Sequence, residues 1–529
     1  MSEIDRTRGV IGGTLVLMLA QVGSMAVSLL LTPFMVNQLG IERFGLWAFL
    51  NAVVAFAGLL EVGVGRGSVR FIAFYGERQE LDVVRRIVSY GMASRVGLGL
   101  ILCPVAWLLG RELLPHADIS ASLLDEAKTL LPLVLGYFFL SAGVRLLSAL
   151  LIGFERTWLV ALITLVSQVV YAGLVVAFLL AGLELYGLLL AVTIQIALQG
   201  LACYAFARRL IGPVFGNPLH LDRPLLVEML KFGGWTQVTA LSALVNRQTD
   251  AVVIGSFIDV RSVGLYDLGN RIAQLSRTIP LALLGPLLPA AARIHAQRDQ
   301  KRIARTMLQG NRLLGLMTLG IAGFVIATAP LIITVWLGRS YPHVALIAVL
   351  ITLTWVINNL TGVGTTVVSA IGRPRYESEY AVIGMVLNIA ATIVLGAIYG
   401  LLGVIAGTVF GVVTSSIYFL WRVHRLLELP LWEYLGSWLL RLTASIAVPA
   451  GSAYALRLAL PGSLLDDRAN GIAMLVLLAL AYGAMTLLSL RMFGFLERRD
   501  LETIERVLPT RFRGVTRRPT VEFLFGARP

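Results

Sequence analysis

Residues 157–181, TWLVALITLVSQVVYAGLVVAFLLA, are followed four residues later by YGLLLAVTIQIALQGLACYAFA at 186–207, and neither stretch holds a charged side chain. Each has the ~20-residue length that an α-helix needs to cross the hydrocarbon of a bilayer. A membrane β-barrel would instead show short segments of alternating polarity. With no water to satisfy the backbone in lipid, helices are the remaining solution.

The rest of the 529-residue chain has the same character. Hydrophobic residues make up 57% and charged ones 14%, with a mean hydropathy of +0.82, where soluble domains carry roughly 25% charged residues. Apolar runs fall near 10–36, 44–73, 87–109, 129–152, 157–181, 186–207, 229–257, 263–290, 311–337, 343–371, 377–399, 401–422, 438–460 and 470–493, joined by short connections. The expected fold class is therefore an all-α polytopic membrane protein of about 14 transmembrane helices. The first run is longer than a signal-peptide core and lacks a small-residue cleavage site, so it reads as a retained span.

The formal net charge of +14 would suggest nucleic acid for a soluble protein. Here the map of spans accounts for it. With the N-terminus inside, basic residues gather on the cytoplasmic side, as at Arg85 and Arg86, Arg208 and Arg209, Arg293 to Arg305, and Arg422 and Arg425, while outer connections carry one or two each. No nucleic-acid partner is expected. An even number of spans puts the C-terminus inside too, and the tail from Arg491 holds nine arginines.

Two loop motifs recur at one offset. LGIERFGLWAF with Gly45 matches IDVRSVGLYDL with Gly264, and LSALLIGFER with Gly153 matches VVSAIGRPRYE with Gly372, both 219 residues apart. The first six and the next six spans thus read as parallel repeats, which place a transport site between two lobes. The expected organisation is a lobe at 1–212, a second at 213–428, two further helices at 429–494 and a basic cytoplasmic tail at 495–529.

An ionisable group in the membrane costs about 2.5–3.5 kcal/mol, so each is a candidate for a wet cavity or a buried pair. Arg247 and Asp250 sit three residues apart on one helix and can neutralise each other. At about 1.5 Å per residue, Arg247 lies roughly 15 Å and Arg271 roughly 12 Å below the outer surface. Arg95 and Arg145 lie nearer the inner side, and Glu61, Arg66 and Arg70 mark the inner end of the second span. Cavity candidates are Arg247, Asp250, Arg271, Arg145, Arg95, Glu61 and Arg66; snorkelling to the interface is the competing role for Arg66, Arg70 and Arg95. Gln21, Asn51, Gln168, Gln195, Gln237, Asn358, Asn359 and Asn388 either meet sugar hydroxyls or bond across helices. Pro280, Gly285, Pro286 and Pro289 should bend or break the eighth span.

No GxxxxGK[ST] occurs, the chain has three lysines, and no loop is long enough for a catalytic domain. No nucleotide, metal, other cofactor or enzymatic activity is expected. Neither the two cysteines nor the five histidines have disulfide or metal-ligand spacing.

The run LLTPFMVNQLGIERFGLWAFL, the SALLIGFER and SAIGRPRYE turns, the pattern KFGGW…LVNRQTDAVVIG followed by VGLYDLGNRIAQL, and TIPLALLGPLLPAAARIH together resemble the polysaccharide transporter family of the multidrug, oligosaccharidyl-lipid and polysaccharide exporter superfamily. The resemblance implies a V-shaped pair of six-helix lobes around an alternately open cationic cavity. It also implies an undecaprenyl-diphosphate-linked oligosaccharide as substrate, with membrane lipids and polysaccharide polymerase or assembly proteins as partners in a bacterial inner membrane. The alternatives are a lipid II or teichoic-type precursor flippase, a multidrug antiporter, and a membrane glycosyltransferase or polymerase. The lipid II flippases have arginines on the first span where this chain has Gln21, and the drug exporters an acidic residue that this chain lacks.

Overall fold

A computed structural model describes residues 3–57, 65–116, 119–216, 241–285, 287–297, 299–428, 431–459 and 468–495. It is all-helical over the described residues. The helices are α1 (Glu3–Ala55), α2 (Gly65–Glu77), α3 (Leu81–Leu113), α4 (Ala121–Gly153), α5 (Thr157–Leu180), α6 (Glu184–Ile211), α7 (described over 241–257), α8 (Val260–Leu281), α9 (Leu287–Ala296), α10 (Gln300–Leu337), α11 (Pro342–Asn359), α12 (Thr361–Ala370), α13 (Arg375–Leu426), α14 (Leu431–Ala459) and α15 (Arg468–Met492). Among the described residues, ten helical stretches are long and apolar enough to cross a membrane. The chain is a multi-pass membrane protein.

Two of those helices contain a fold. α1 turns at Gly40 (φ 75°, ψ 165°) and α13 at Gly400 (φ 60°, ψ −140°), conformations that a Cβ opposes and that glycine adopts at little cost. Each therefore supplies two of the expected spans. The expected break in the eighth span is present: α8 stops at Leu281, a single 3-10 turn covers Ala282–Leu284, and α9 resumes at Leu287, because proline removes the amide donor and crowds the preceding turn. Pro286 lies outside the described residues.

α8 is unlike the others. It holds Arg261, Asp267, Arg271 and Arg277 within 22 residues and does not qualify as an apolar span. Its polar character demands water or protein along its length, since exposure to hydrocarbon would be prohibitive.

The residues fall into two compact units, 1–267 with 378–411, and 268–377 with 412–529. In the first, α2, α3, α4 and α6 share a core around Ile72, Val84, Ile87, Leu146, Leu150 and Cys203. Arg85 closes one end of it: Nε donates to the Pro213 carbonyl, Nη2 to Ile211 (both 2.9 Å) and Nη1 to Asp82 (2.7 Å). At the other end Arg43 reaches Glu184 at 2.9 Å and Glu126 at 3.6 Å, tying α1 to the starts of α4 and α6. In the second unit, Trp438, Leu442 and Ile446 of α14 pack with Leu360, Leu420 and Leu490.

Candidate functional site

The most deeply buried acid among the described residues is Asp250 on α7, 1% exposed. Tyr266 of α8 donates to its Oδ2 at 2.5 Å and Thr408 of α13 donates to the same oxygen at 2.7 Å. Asn388, in the first arm of α13, donates in turn to the Thr408 hydroxyl at 3.1 Å. The other carboxylate oxygen, Oδ1, is buried and makes no well-formed hydrogen bond, and Asn388 and Thr392 are the further side chains that lie against the carboxyl group. A buried carboxylate surrounded only by neutral hydroxyl and amide groups costs several kcal/mol unless a positive charge joins it. Protonation of the carboxyl group, or a small cation beside it, would relieve that cost.

The sequence brings these groups together through glycine. Gly403, Gly407 and Gly411 recur every fourth residue and line one side of the second arm of α13. A Cβ at Gly407 would lie 2.5 Å from the Thr392 nitrogen, and one at Gly411 2.6 Å from the Asn388 nitrogen. Small residues at this spacing let two helix backbones approach closely. They thereby seat Asn388 and Thr392 beside Thr408. Gly407→Val is expected to part the two arms and lower stability by about 1–3 kcal/mol, the usual effect of overpacking, read as a lower melting temperature in detergent.

Tyr266 is held by a second close approach. Gly45 of α1 and Gly264 of α8, the first pair related by the 219-residue offset, touch each other. A Cβ on Gly45 would come within 1.9 Å of the Val260 carbonyl oxygen and 3.0 Å of the Gly264 nitrogen; one on Gly264 would come within 2.7 Å of the Ile41 oxygen. One turn further along α1, the Phe49 ring fills the space over Gly255 of α7. α1 therefore meets α8 backbone to backbone and meets α7 through the Phe49 ring.

The arginines divide. Arg247 is exposed, and no ion pair joins it to Asp250 among the described residues. That corrects the expected neutralisation: Asp250 turns into the contact with α8 and α13, while Arg247 projects from the open side of the same helix. Arg145 is also exposed, with Nη1 donating to Ser141 Oγ at 2.7 Å and the guanidinium 5.4 Å from the Phe138 ring. Arg95 is 4% exposed and donates to the Gly91 carbonyl at 2.7 Å. Arg271 is half-buried on α8. Glu61 lies outside the described residues, and Arg66 is described only as a backbone position in α2.

Most of the intramembrane amides bond across helices. Gln195 donates to Gln168 at 3.1 Å, Tyr137 donates to the Asn51 side-chain oxygen, and Asn359 donates to the Ser276 carbonyl at 3.0 Å and to Thr318 at 3.1 Å. Gln237 lies outside the described residues. The sequence reading missed Tyr266, Thr392 and Thr408 as partners of Asp250, and Arg277, whose guanidinium lies 4.2 Å from the Trp355 ring centroid. The charge density of α8 was the available signal for Arg277. Nothing in the local sequence marks the two threonines.

Residues 10–295 match the family described as polysaccharide biosynthesis protein. Among curated proteins, the chain is 22% identical over 403 residues to a probable flippase, AglR, of Haloferax volcanii, covering 75% of this chain and 80% of that one. It is 22% identical over 406 residues to a putative O-antigen transporter of Shigella flexneri, covering 74% and 92%. Among solved structures, the lipid II flippase MurJ in an inward closed conformation superposes with a TM-score of 0.68 at 16% identity, covering 90% of this chain and 99% of that one. An inward-facing multidrug resistance MATE transporter of the MOP superfamily gives 0.59 at 15% identity, covering 75% and 95%.

Proposed function

The chain belongs to the polysaccharide biosynthesis protein family, and from that premise we propose that it is a flippase moving an undecaprenyl-diphosphate-linked oligosaccharide across a bacterial cytoplasmic membrane, both termini facing the cytoplasm. The names of the two curated relatives, a flippase and an O-antigen transporter, favour transport over catalysis. Arg247 is the observation that carries the reading: an exposed guanidinium on a helix of an apolar bundle, less than one turn from a buried carboxylate. Facing lipid it would be costly, so it belongs on a wet path. There it offers a diphosphate planar, bidentate donors that stay protonated at low dielectric.

In this reading the repeats 1–212 and 213–428 are the halves that alternate access, and Arg145, Arg271, Arg95, Arg66 and Glu61 are the further candidates for contact with the substrate. Asp250 supplies the coupling. A proton or monovalent cation bound at the Asp250 carboxyl group neutralises it, and its release leaves a buried charge that the packing of α7, α8 and α13 must accommodate differently. Helices 429–494 and the basic tail 495–529 meet membrane lipid and assembly proteins.

Deleting the gene is expected to leave a lipid-linked glycan on the cytoplasmic leaflet, identified by mass spectrometry of lipid extracts; accumulation of none would refute the substrate class. Arg247→Ala is expected to reduce glycan export at least about tenfold, a loss of about 1.4 kcal/mol, with normal amounts of protein in the membrane. Export at the wild-type rate would remove Arg247 from the path.

A further inference from the structure

The second unit carries a trough that the transport reading does not use. It has a volume of about 760 Å³ and runs between α10, the start of α11 and α14. Its walls are single helical faces: Leu319, Gly323, Ala327 and Pro330 on α10, and Thr443, Ala447, Gly451 and Tyr454 on α14, spaced three or four residues apart. Small residues make the floor. At Gly451 a Cβ would meet nothing within 4 Å, so the trough is open there to at least the width of a methylene chain.

Its polarity changes at one end. α10 finishes at Leu337, α11 begins at Pro342 and α14 finishes at Ala459, which places these termini on one side of the membrane. At that end the lining turns to Ser340, Tyr341, Tyr454 and Arg457, with the Arg457 guanidinium 4.8 Å from the Tyr454 ring centroid. Tyrosine and arginine are the side chains that sit at head-group depth. From Thr443 to Arg457 the helix rises about 21 Å, close to the ~15 Å of hydrocarbon in one leaflet plus its head-group layer.

We propose that this trough holds one acyl chain of an anionic phospholipid from the leaflet at which α14 ends, with the lipid phosphate on Arg457. The length fits a membrane phospholipid, whereas a long polyprenyl chain would overrun the trough. The charge at the mouth selects a negative head group. A chain seated on Ala447, Ala450 and Gly451 would lie along the small-residue face of α14, beside the point where Gly323 of α10 packs against Ile446 and Ala450.

The test is native mass spectrometry of the purified full-length protein from membranes containing phosphatidylglycerol and phosphatidylethanolamine. The wild type is expected to retain one phosphatidylglycerol through detergent washing. Gly451→Leu is expected to lose it by filling the trough, while its melting temperature holds or rises, since leucine is the better helix former. Gly451→Ala, too small to block the trough, is expected to keep it. Arg457→Ala is expected to lower the preference for phosphatidylglycerol over phosphatidylethanolamine about fivefold, the value of one interfacial arginine. Equal retention by wild type and Gly451→Leu, an unchanged preference in Arg457→Ala, or recovery of a polyprenyl phosphate as the retained lipid would each overturn the assignment. None of these outcomes bears on Arg247 or on glycan export.

Discussion

Asp250→Asn is expected to abolish coupled export while leaving the fold intact. Asparagine keeps an acceptor for the Tyr266 and Thr408 hydroxyls, so the hydrogen bonds that hold α7 against α8 and α13 survive. It removes the charge that a proton or cation must neutralise. Replacing a desolvated ion by a neutral group of the same shape is often neutral or stabilising, so the melting temperature should hold or rise as export falls by at least about tenfold, or about 1.4 kcal/mol. Tyr266→Phe makes the contrast. It deletes one hydrogen bond and keeps the charge, and should cost about 1 kcal/mol of stability with a smaller loss of export. Full export by Asp250→Asn would show the carboxylate to be a packing feature.

Gly45→Val is expected to have the other large effect. The new Cβ would occupy the position of the Val260 carbonyl oxygen, 1.9 Å away, and a backbone atom of α8 cannot turn aside as a side chain can. α1 and α8 would have to separate, lifting Tyr266 from Asp250. Overpacking of this kind costs about 1–3 kcal/mol, and the displaced tyrosine adds a functional loss out of proportion to it. Gly45→Ala should act in the same direction, because the clash begins at Cβ. Gly97→Ala on α3 is the control: a Cβ there meets nothing within 4 Å, and alanine should leave export unchanged. Wild-type melting and export in Gly45→Val would contradict the contact.

The helical membrane fold was legible because it depends on local properties. Residues 157–181 cannot sit in water and cannot leave their backbone unpaired in lipid, so they form a spanning helix whatever surrounds them. The break after Pro280 is of the same type, written in the covalent structure of proline. Even the recurrence of Gly45 at Gly264 was readable from the text alone. That the two glycines lie against each other was not, because a repeat states that two segments are alike and is silent on where they meet.

The candidate site was half legible for the same reason. Asp250 and Arg247 stood out as charges in an apolar run, yet three residues of spacing could not say that one would be buried and the other exposed. That division follows from which side of α7 receives Tyr266 and Thr408, residues 16 and 158 positions away. Thr408 is an ordinary polar residue in an apolar helix until the glycine stripe of α13 carries Asn388 and Thr392 up to it. The sequence by itself determined what must cross the membrane, because transfer from water to lipid is decided segment by segment. Only the tertiary structure decided which polar atoms face one another, because inside a bilayer apolar surface attracts no particular partner. Close packing of small residues then sets which helices touch.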